Sequence, residues 1–293
     1  KYIESVWSLI ESLYNKNLIY KGYTIQPYSP AAGTGLSSHE LNLPGCYRSV
    51  KDTSVVALFE LEKGGEIEFQ TDLPIYFLAW TTTPWTLPGN VGLAVGPDVE
   101  YVRVRVTANP ENWEGHGGAE IGEELILAKD LFKEVIRHHC EEIETFPGSD
   151  LIGRSYTPLF PGAVDRGDSK TAWTVIGADW VTTTDGTGVV HTAVMYGEDD
   201  YRLGMEVGFP AQHTVGMDGA FVEGVHEFLD GRYVKECDDE IINLLESQGL
   251  LYREHDYTHD YPHCWRTDHP LLYYAMDSWF VRMTAVREQI ISH

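Results

Sequence analysis

Residues 75–95 read IYFLAWTTTPWTLPGNVGLAV. The first six are a continuous apolar run with aromatic and β-branched members, the signature of a buried strand. Three threonines follow, Thr81 to Thr83, with Thr86 as a fourth. Pro84 removes an amide donor and pushes Thr83 away from helix. Pro88-Gly89-Asn90 forces a turn, and VGLAV returns as a second strand. A strand end of this kind presents hydroxyls at the rim of a sheet. Threonine hydroxyls both donate and accept, which suits a sugar, a phosphate, an ester carbonyl or a water. They are poor bases unaided. Spacing alone equally allows a β-prone run capped by a turn.

Strands continue on both sides. SVVALFEL at 54–61 and YVRVRV at 101–106 are short and punctuated by Gly, Pro and Asp. WVTTTDGTGVVHTAV, 180–194, reads as two strands around an Asp-Gly turn. Helical periodicity marks 2–18, 128–140, 197–208, 235–249 and 278–290. YTIQPYSPAAGTGLSS is a short strand running into a loop. There is no βαβ alternation through the middle and no repeat. The reading is α+β: a β-barrel-like domain with peripheral helices, flanked at both termini by connector helices that pack together. The expected division is an incoming connector over 1–45, a central domain over 46–255 and an exit connector over 256–293.

The chain has 293 residues, ample for a large core. No apolar run approaches the roughly 18–20 residues of a membrane span, and the first residues are no signal peptide. The absence of an initial Met and an ending in mid-helix lead to the expectation of a piece of a longer protein. Cys46, Cys140, Cys237 and Cys264 form no CxxC pair, which fits a reducing, cytoplasmic setting. The net charge is −24, from 45 acids against 21 Lys plus Arg. Such a surface repels phosphate backbones, so any nucleic acid would be held mainly by something else.

Two further stretches carry chemistry. In DGTGVVHTAVMYGEDDY, 185–201, His191 lies in a strand, and Glu198, Asp199 and Asp200 follow. If the chain folds back, His191 and an acid face one cleft, and a carboxylate there can anchor an ammonium. The plainer reading is a core histidine and a helix's acidic first turn. In HDYTHDYPHCWRTDH, 255–269, four histidines and Cys264 cluster. Pro262 breaks their helical spacing and no second cysteine pair exists, so a His-rich loop is favoured over zinc. GxxxxGK[ST], GxSxG and HExxH are all missing, and Gly186-Thr-Gly188 is too little for a phosphate cradle.

Together, WTTTPWTLPGN and the later GTGVVH…GEDDY resemble the editing domain of isoleucyl-tRNA synthetase, the connective insertion (connective peptide 1) of the class I enzymes. KYIESVWSLIESLYNKNLIYKGYTIQPYSP resembles the segment entering that insertion, and YPHCWRTDHPLLYYAMDSWFVR the segment leaving it. The valyl and leucyl relatives carry Arg at Thr83 and an acid at Trp85, so TTTPWT favours the isoleucyl branch. The HIGH and KMSKS signatures are missing, so the resemblance implies no amino-acid activation or ATP use by this chain, only by its parent ligase.

What the resemblance implies is a deacylase that hydrolyses valine misattached to tRNA(Ile), with valyl-adenylate as a second substrate. Asp200 aligns with the acid that binds the α-ammonium. Thr81, Thr82 and Thr83 align with pocket threonines that touch the terminal adenosine or the water. Thr86 and Asn90 belong to the same stretch, Trp80 supports it, and His191 aligns with a wall that excludes isoleucine. The implied partners are the tRNA 3′ end and the rest of the synthetase, with a monomer expected and no membrane. Many relatives hold zinc with two CxxC pairs. Here Ser29, Ala32 and Thr267 replace three of those cysteines and only Cys264 remains, so no cofactor is expected. Two alternatives stay open: the same fold editing another pair such as Thr-tRNA(Val), and a chain that binds ligand but turns over little without its parent.

Overall fold

The computed structural model describes residues 1–64, 69, 71–111, 113 and 115–292. In chain order the strands are β1 (Ile19–Ser29), β2 (Thr34–Gly35), β3 (Tyr47–Glu60), β4 (Ile75–Thr81), β5 (Gly92–Val95), β6 (Glu100–Ala108), β7 (Glu124–Ala128), β8 (His139–Pro147), β9 (Thr174–Gly177), β10 (Val189–Thr192), β11 (Leu251–Pro262) and β12 (Leu272–Val281). The helices are α1 (Tyr2–Asn15), α2 (Ser38–Leu41), α3 (Phe132–Val135), α4 (Glu198–Val207), α5 (Asp238–Ser247) and α6 (Met283–Ile291).

Nine strands form one curled sheet in the order β8-β6-β7-β4-β10-β5-β9, with β3 against β4 and β11 outside β3. The hinge of this sheet is β4, the apolar run that the sequence singles out. On one side its whole length pairs with β3, from Tyr76↔Glu60 to Thr81↔Val55. On the other side it forks. Residues 75–77 pair in parallel with β7, while Trp80 bridges in parallel to Val190 of β10. A strand that changes neighbour part-way opens a gap between the two, and the threonines lie at its mouth. Phe77, Leu78 and Ala79 are buried in the core with Val55 to Phe59 and Leu125 to Leu127.

The chain ends meet, as expected, but through strands. β1 pairs antiparallel with β12 from Ile19↔Val281 to Tyr28↔Leu272. Helix α1 carries no buried residue, and Ile3, Trp7 and Tyr14 of its apolar stripe are exposed. β11 runs through the expected boundary at residue 255 and stays paired with β3 as far as Pro262↔Tyr47.

Four local expectations fail, all through strand pairing or its absence. The His-rich stretch 255–262 is strand, because His and Tyr alternate with acids and Thr, a period of two that edge pairing with β3 rewards. Ser278–Val281 ends β12, and the last helix starts only at Met283. Of the helix expected over 128–140 one turn survives, Phe132–Val135, and His139 already belongs to a strand beside β6. Residues 180–184 form no strand, and Trp180, Val181, Thr182 and Thr184 line a cavity with Trp80 and Val190.

Candidate active site

At the end of β4 the chain turns through a 3-10 helix, Pro84–Gly89, with Thr83 at its N-cap. Thr86 N–H donates to Thr83 O at 2.9 Å, and Thr86 Oγ1 donates to the same carbonyl at 2.8 Å. Thr83 N–H donates to Thr81 Oγ1 at 3.1 Å, with the two hydroxyls 3.3 Å apart. Thr83 and Thr86 hydroxyls lie 3.4 Å apart. The turn is held from below by Asp238 at the start of α5, whose Oδ1 accepts from Trp85 N–H at 2.9 Å. Burial pushes that carboxyl up to about 7.

His191, buried in β10, engages both ring nitrogens. Asn90 Nδ2 donates to Nδ1 at 3.0 Å, and Nε2 lies 2.9 Å from Thr86 Oγ1. Asn90 is itself fixed: Nδ2 also donates to Gly92 O at 2.9 Å, and Oδ1 accepts from the fully buried Tyr156 hydroxyl at 2.6 Å. With an amide N–H on Nδ1, the ring proton sits on Nε2 and points to Thr86. Thr86 then passes its own proton to Thr83 O. The network fixes each polar group in one direction. Burial drives His191 down to about 4, so it is uncharged at neutral pH.

Asp200 lies in the first turn of α4. Its Oδ2 accepts from Ala193 N–H at 2.9 Å, just beyond β10. Burial raises the carboxyl to about 6. Among the described residues no cation pairs with it. A part-buried carboxylate without a cation is suited to take one from a ligand.

These groups share a cavity of about 410 Å³, a size suited to a small ligand. Of the residues expected from sequence, Trp80, Thr81, Thr82, Thr83, Thr86, His191 and Asp200 all line it. Asn90 does not; it stands behind His191 and orients it. Sequence reasoning missed the opposite wall, Trp180 and Thr184–Val190. Gly188 sits there at φ +73°, and a Cβ would lie 2.3 Å from Ala128 Cβ, so only glycine lets the loop close on β7. The Asp-Gly turn was the available signal. Tyr156 and Asp238 carried none, because their partners are distant in sequence.

The positions compared above with zinc-binding cysteines lie close together. Ser29 Oγ lies 3.5 Å from Thr267 Oγ1 and accepts from Ala32 N–H at 3.2 Å. Ala32 packs against buried Cys264, Leu36 and Leu271. One thiol, two hydroxyls and a methyl do not fit a zinc ligand set. Among the described residues no group of three or more His, Cys, Asp or Glu is arranged to hold a metal. The histidines of 255–263 lie spread along β11.

All of residues 1–293 match the family model described as tRNA synthetases class I (I, L, M and V). The chain belongs to the class I tRNA synthetases. It is 41% identical over 348 residues to the isoleucine--tRNA ligase of Porphyromonas gingivalis, covering 100% of this chain and 30% of that protein. With the isoleucine--tRNA ligase of Bacillus thuringiensis (strain Al Hakam) it shares 42% over 292 residues, again 100% of this chain and 26% of the relative. The chain therefore spans between 26% and 30% of the length of these relatives. In fold it matches the structure of GlLeuRS-CP1, with TM-score 0.52 and 15% identity over 70% of this chain and 99% of that one. The editing domain of P. falciparum cytosolic leucyl-tRNA synthetase matches at TM-score 0.50 and 9% identity, over 69% and 99%. The mixed α/β architecture with its curled sheet is thus that of this synthetase insertion.

Proposed function

We propose that this chain is a proofreading deacylase that hydrolyses valine misattached to tRNA(Ile). The observation that carries the proposal is the single cavity in which four threonine hydroxyls, an uncharged histidine and an unpaired, part-buried aspartate converge. Its relatives by sequence are isoleucine--tRNA ligases, and its relatives by fold are editing domains. The chemical need is general. One methylene is worth only about 1–3 kcal/mol in a binding pocket, so a synthesis site for isoleucine admits valine, the standard example of this problem.

The roles follow from the chemistry of each group. Asp200 takes the α-ammonium, which holds the ester carbonyl over the threonines. Thr81 to Thr83 bind the terminal ribose and a water. The water oxygen attacks the carbonyl carbon, the bond to the ribose oxygen breaks, and that oxygen takes a proton as valine leaves. An ester is already activated, so a positioned water and oriented hydroxyls suffice with the substrate's own ribose hydroxyl. His191 is not the base: it stays neutral and both nitrogens are engaged. Its ring instead fills the space where a longer side chain would go. Valyl-adenylate presents the same ammonium and carbonyl and is the second substrate.

In this reading residues 46–255 carry the reaction, and 1–45 and 256–293 join it to the parent synthetase. The chain acts as one copy, in the cytoplasm, with no resident metal. The test is deacylation by the 293-residue chain of Val-tRNA(Ile), Thr-tRNA(Val) and Ile-tRNA(Ile) side by side. Release of valine from the first, with isoleucine retained on the third, supports the proposal. Preference for Thr-tRNA(Val) reassigns the substrate, and binding without release of any amino acid refutes the deacylase.

A further inference from the structure

A smaller cavity of about 150 Å³ opens on the sheet face that also carries Trp80, walled by Trp113, Arg137, His138, Tyr252, Arg253 and Glu254. Its donors outnumber its acceptors. Neither Arg137 nor Arg253 forms an ion pair among the described residues, although acids outnumber basic residues 45 to 21 in the chain. Burial, and then the neighbouring Arg137, disfavour the charge on Arg253. Both arginines also add to the burial that depresses His255. Two guanidiniums wall the cavity against one carboxylate, Glu254, with Glu134 also acting on Arg253, and they repel each other in the unliganded fold.

His138 adds a third donor. It is 7% exposed, and its Nε2 has no partner among the described residues, nor does Arg253 Nε. Tyr252 Oη accepts from Arg137 N–H at 3.1 Å and lies 3.2 Å from His138 Nδ1. The tyrosine proton therefore goes to Nδ1, and the ring proton is left on Nε2, a buried atom without a partner in a residue of the cavity wall. Gly118, at φ +95°, lets its backbone pack closely here, since a Cβ would lie 2.6 Å from Trp113 and 2.9 Å from His138. Two guanidiniums and an imidazole N–H against one carboxylate, Glu254, leave an excess of donors that suits an anion.

Its position says which anion. Arg253 pairs with Val56, and Val56 with Trp80. Residues directly opposite share a face, so the arginine stands two strand spacings, about 10 Å, from the wall of the threonine pocket. The strip along β11 is paved with rings. Tyr257 meets Trp80 at 5.4 Å between centroids, His259 meets Tyr257 at 5.3 Å, and Tyr261 meets His259 at 5.6 Å. Cations beside flat rings are what a single-stranded nucleic acid binds.

We propose that Arg137, Arg253 and His138 bind a backbone phosphate of the RNA strand whose 3′ end enters the threonine pocket. The proposal rests on the deacylase reading. It also answers the charge problem: on a chain of net charge −24 these arginines give the strand a local cationic foothold, just upstream of the ester.

The experiment compares wild type with Arg137→Gln, Arg253→Gln and the double variant on two substrates. One is Val-tRNA(Ile); the other is the valyl ester of adenosine, which has no phosphate. The double variant should raise KM for the tRNA about tenfold and leave the adenosine ester unaffected. Each substitution should also flatten the slope of log kcat/KM against log salt by about 0.7. The melting temperatures should hold or rise, because a repulsion is removed. Inorganic phosphate alone should shift the His138 Nε2 NMR signal of wild type and not of the double variant. If wild type hydrolyses neither ester, the deacylase reading fails. If it hydrolyses both and the variants match it on tRNA in KM and salt slope, the phosphate subsite fails alone, and inorganic phosphate binding would then mark a free-anion site. Equal losses on both substrates, or a fall in melting temperature, would make the arginines structural and overturn the proposal.

Discussion

Replacing Asp200 by Asn should make the protein more stable while ending its catalysis. The carboxyl is held at about 6 in place of its ordinary 3.8, with burial as the main cause. A shift of that size corresponds to about 3 kcal/mol of charge burial at neutral pH. The side chain is only part-buried, so water recovers some of this, and about 1–2 kcal/mol is the expected gain. Asn keeps the oxygen that accepts from Ala193 N–H, so no hydrogen bond is lost. The sign depends on pH. A carboxyl raised in the folded state costs nothing below its unfolded value of 3.8. The cost grows as pH rises through about 6 and is constant above it. Asp200→Asn and wild type should therefore melt together near pH 4. At pH 7 the variant should melt roughly 3–6 °C higher, with no measurable Val-tRNA(Ile) hydrolysis. Denaturant titrations at both pH values, run beside the deacylation assay, check this. A variant less stable by the same amount at pH 4 and pH 7 would mean that Asp200 is a structural acceptor, and the ammonium-anchor argument would fall.

The same carboxyl sets an acid limb on activity. The kcat/KM for deacylation at pH 5 should be about a tenth of its value at pH 7, and a flat profile there would remove Asp200 from the free enzyme's binding step. His191→Ala should open the wall and let Ile-tRNA(Ile) be hydrolysed; if isoleucine stays on the tRNA in a discharge assay, His191 is not the barrier. Tyr156→Phe should cost about 1–2 kcal/mol in a denaturant titration, since Asn90 Oδ1 loses its buried donor. It should also lower kcat more than it changes KM, because Asn90 is freed to rotate away from His191. Zinc chelators should leave the melting temperature unchanged, whereas Ser29→Cys, Ala32→Cys and Thr267→Cys together should create tight zinc binding; stoichiometric zinc in the wild-type protein by elemental analysis would refute this.

Local pattern carried much of the fold. The run 75–80, the acidic start of α4 and the stop of α5 before Gly249 were legible because backbone propensity and turn chemistry act over a few residues. The same period rules misread 278–281 and most of 128–140. In both places a neighbouring strand offered a pairing that no short window contains. In 255–262 the alternation was present in the sequence, but clustered histidines ending at Pro262 read equally as a loop.

The sequence by itself determined which residues could do the chemistry: hydroxyls at the end of a buried strand, a histidine among small residues, an acid at a helix start. Only the tertiary structure decided that these groups meet. The bridge Trp80↔Val190 brings residues 80–86 and 186–200 to one cavity, and that contact is set by which strands find each other. The charge states were likewise decided there. His191 is neutral and Asp200 is raised because folding takes both away from water, and desolvation belongs to the packed whole.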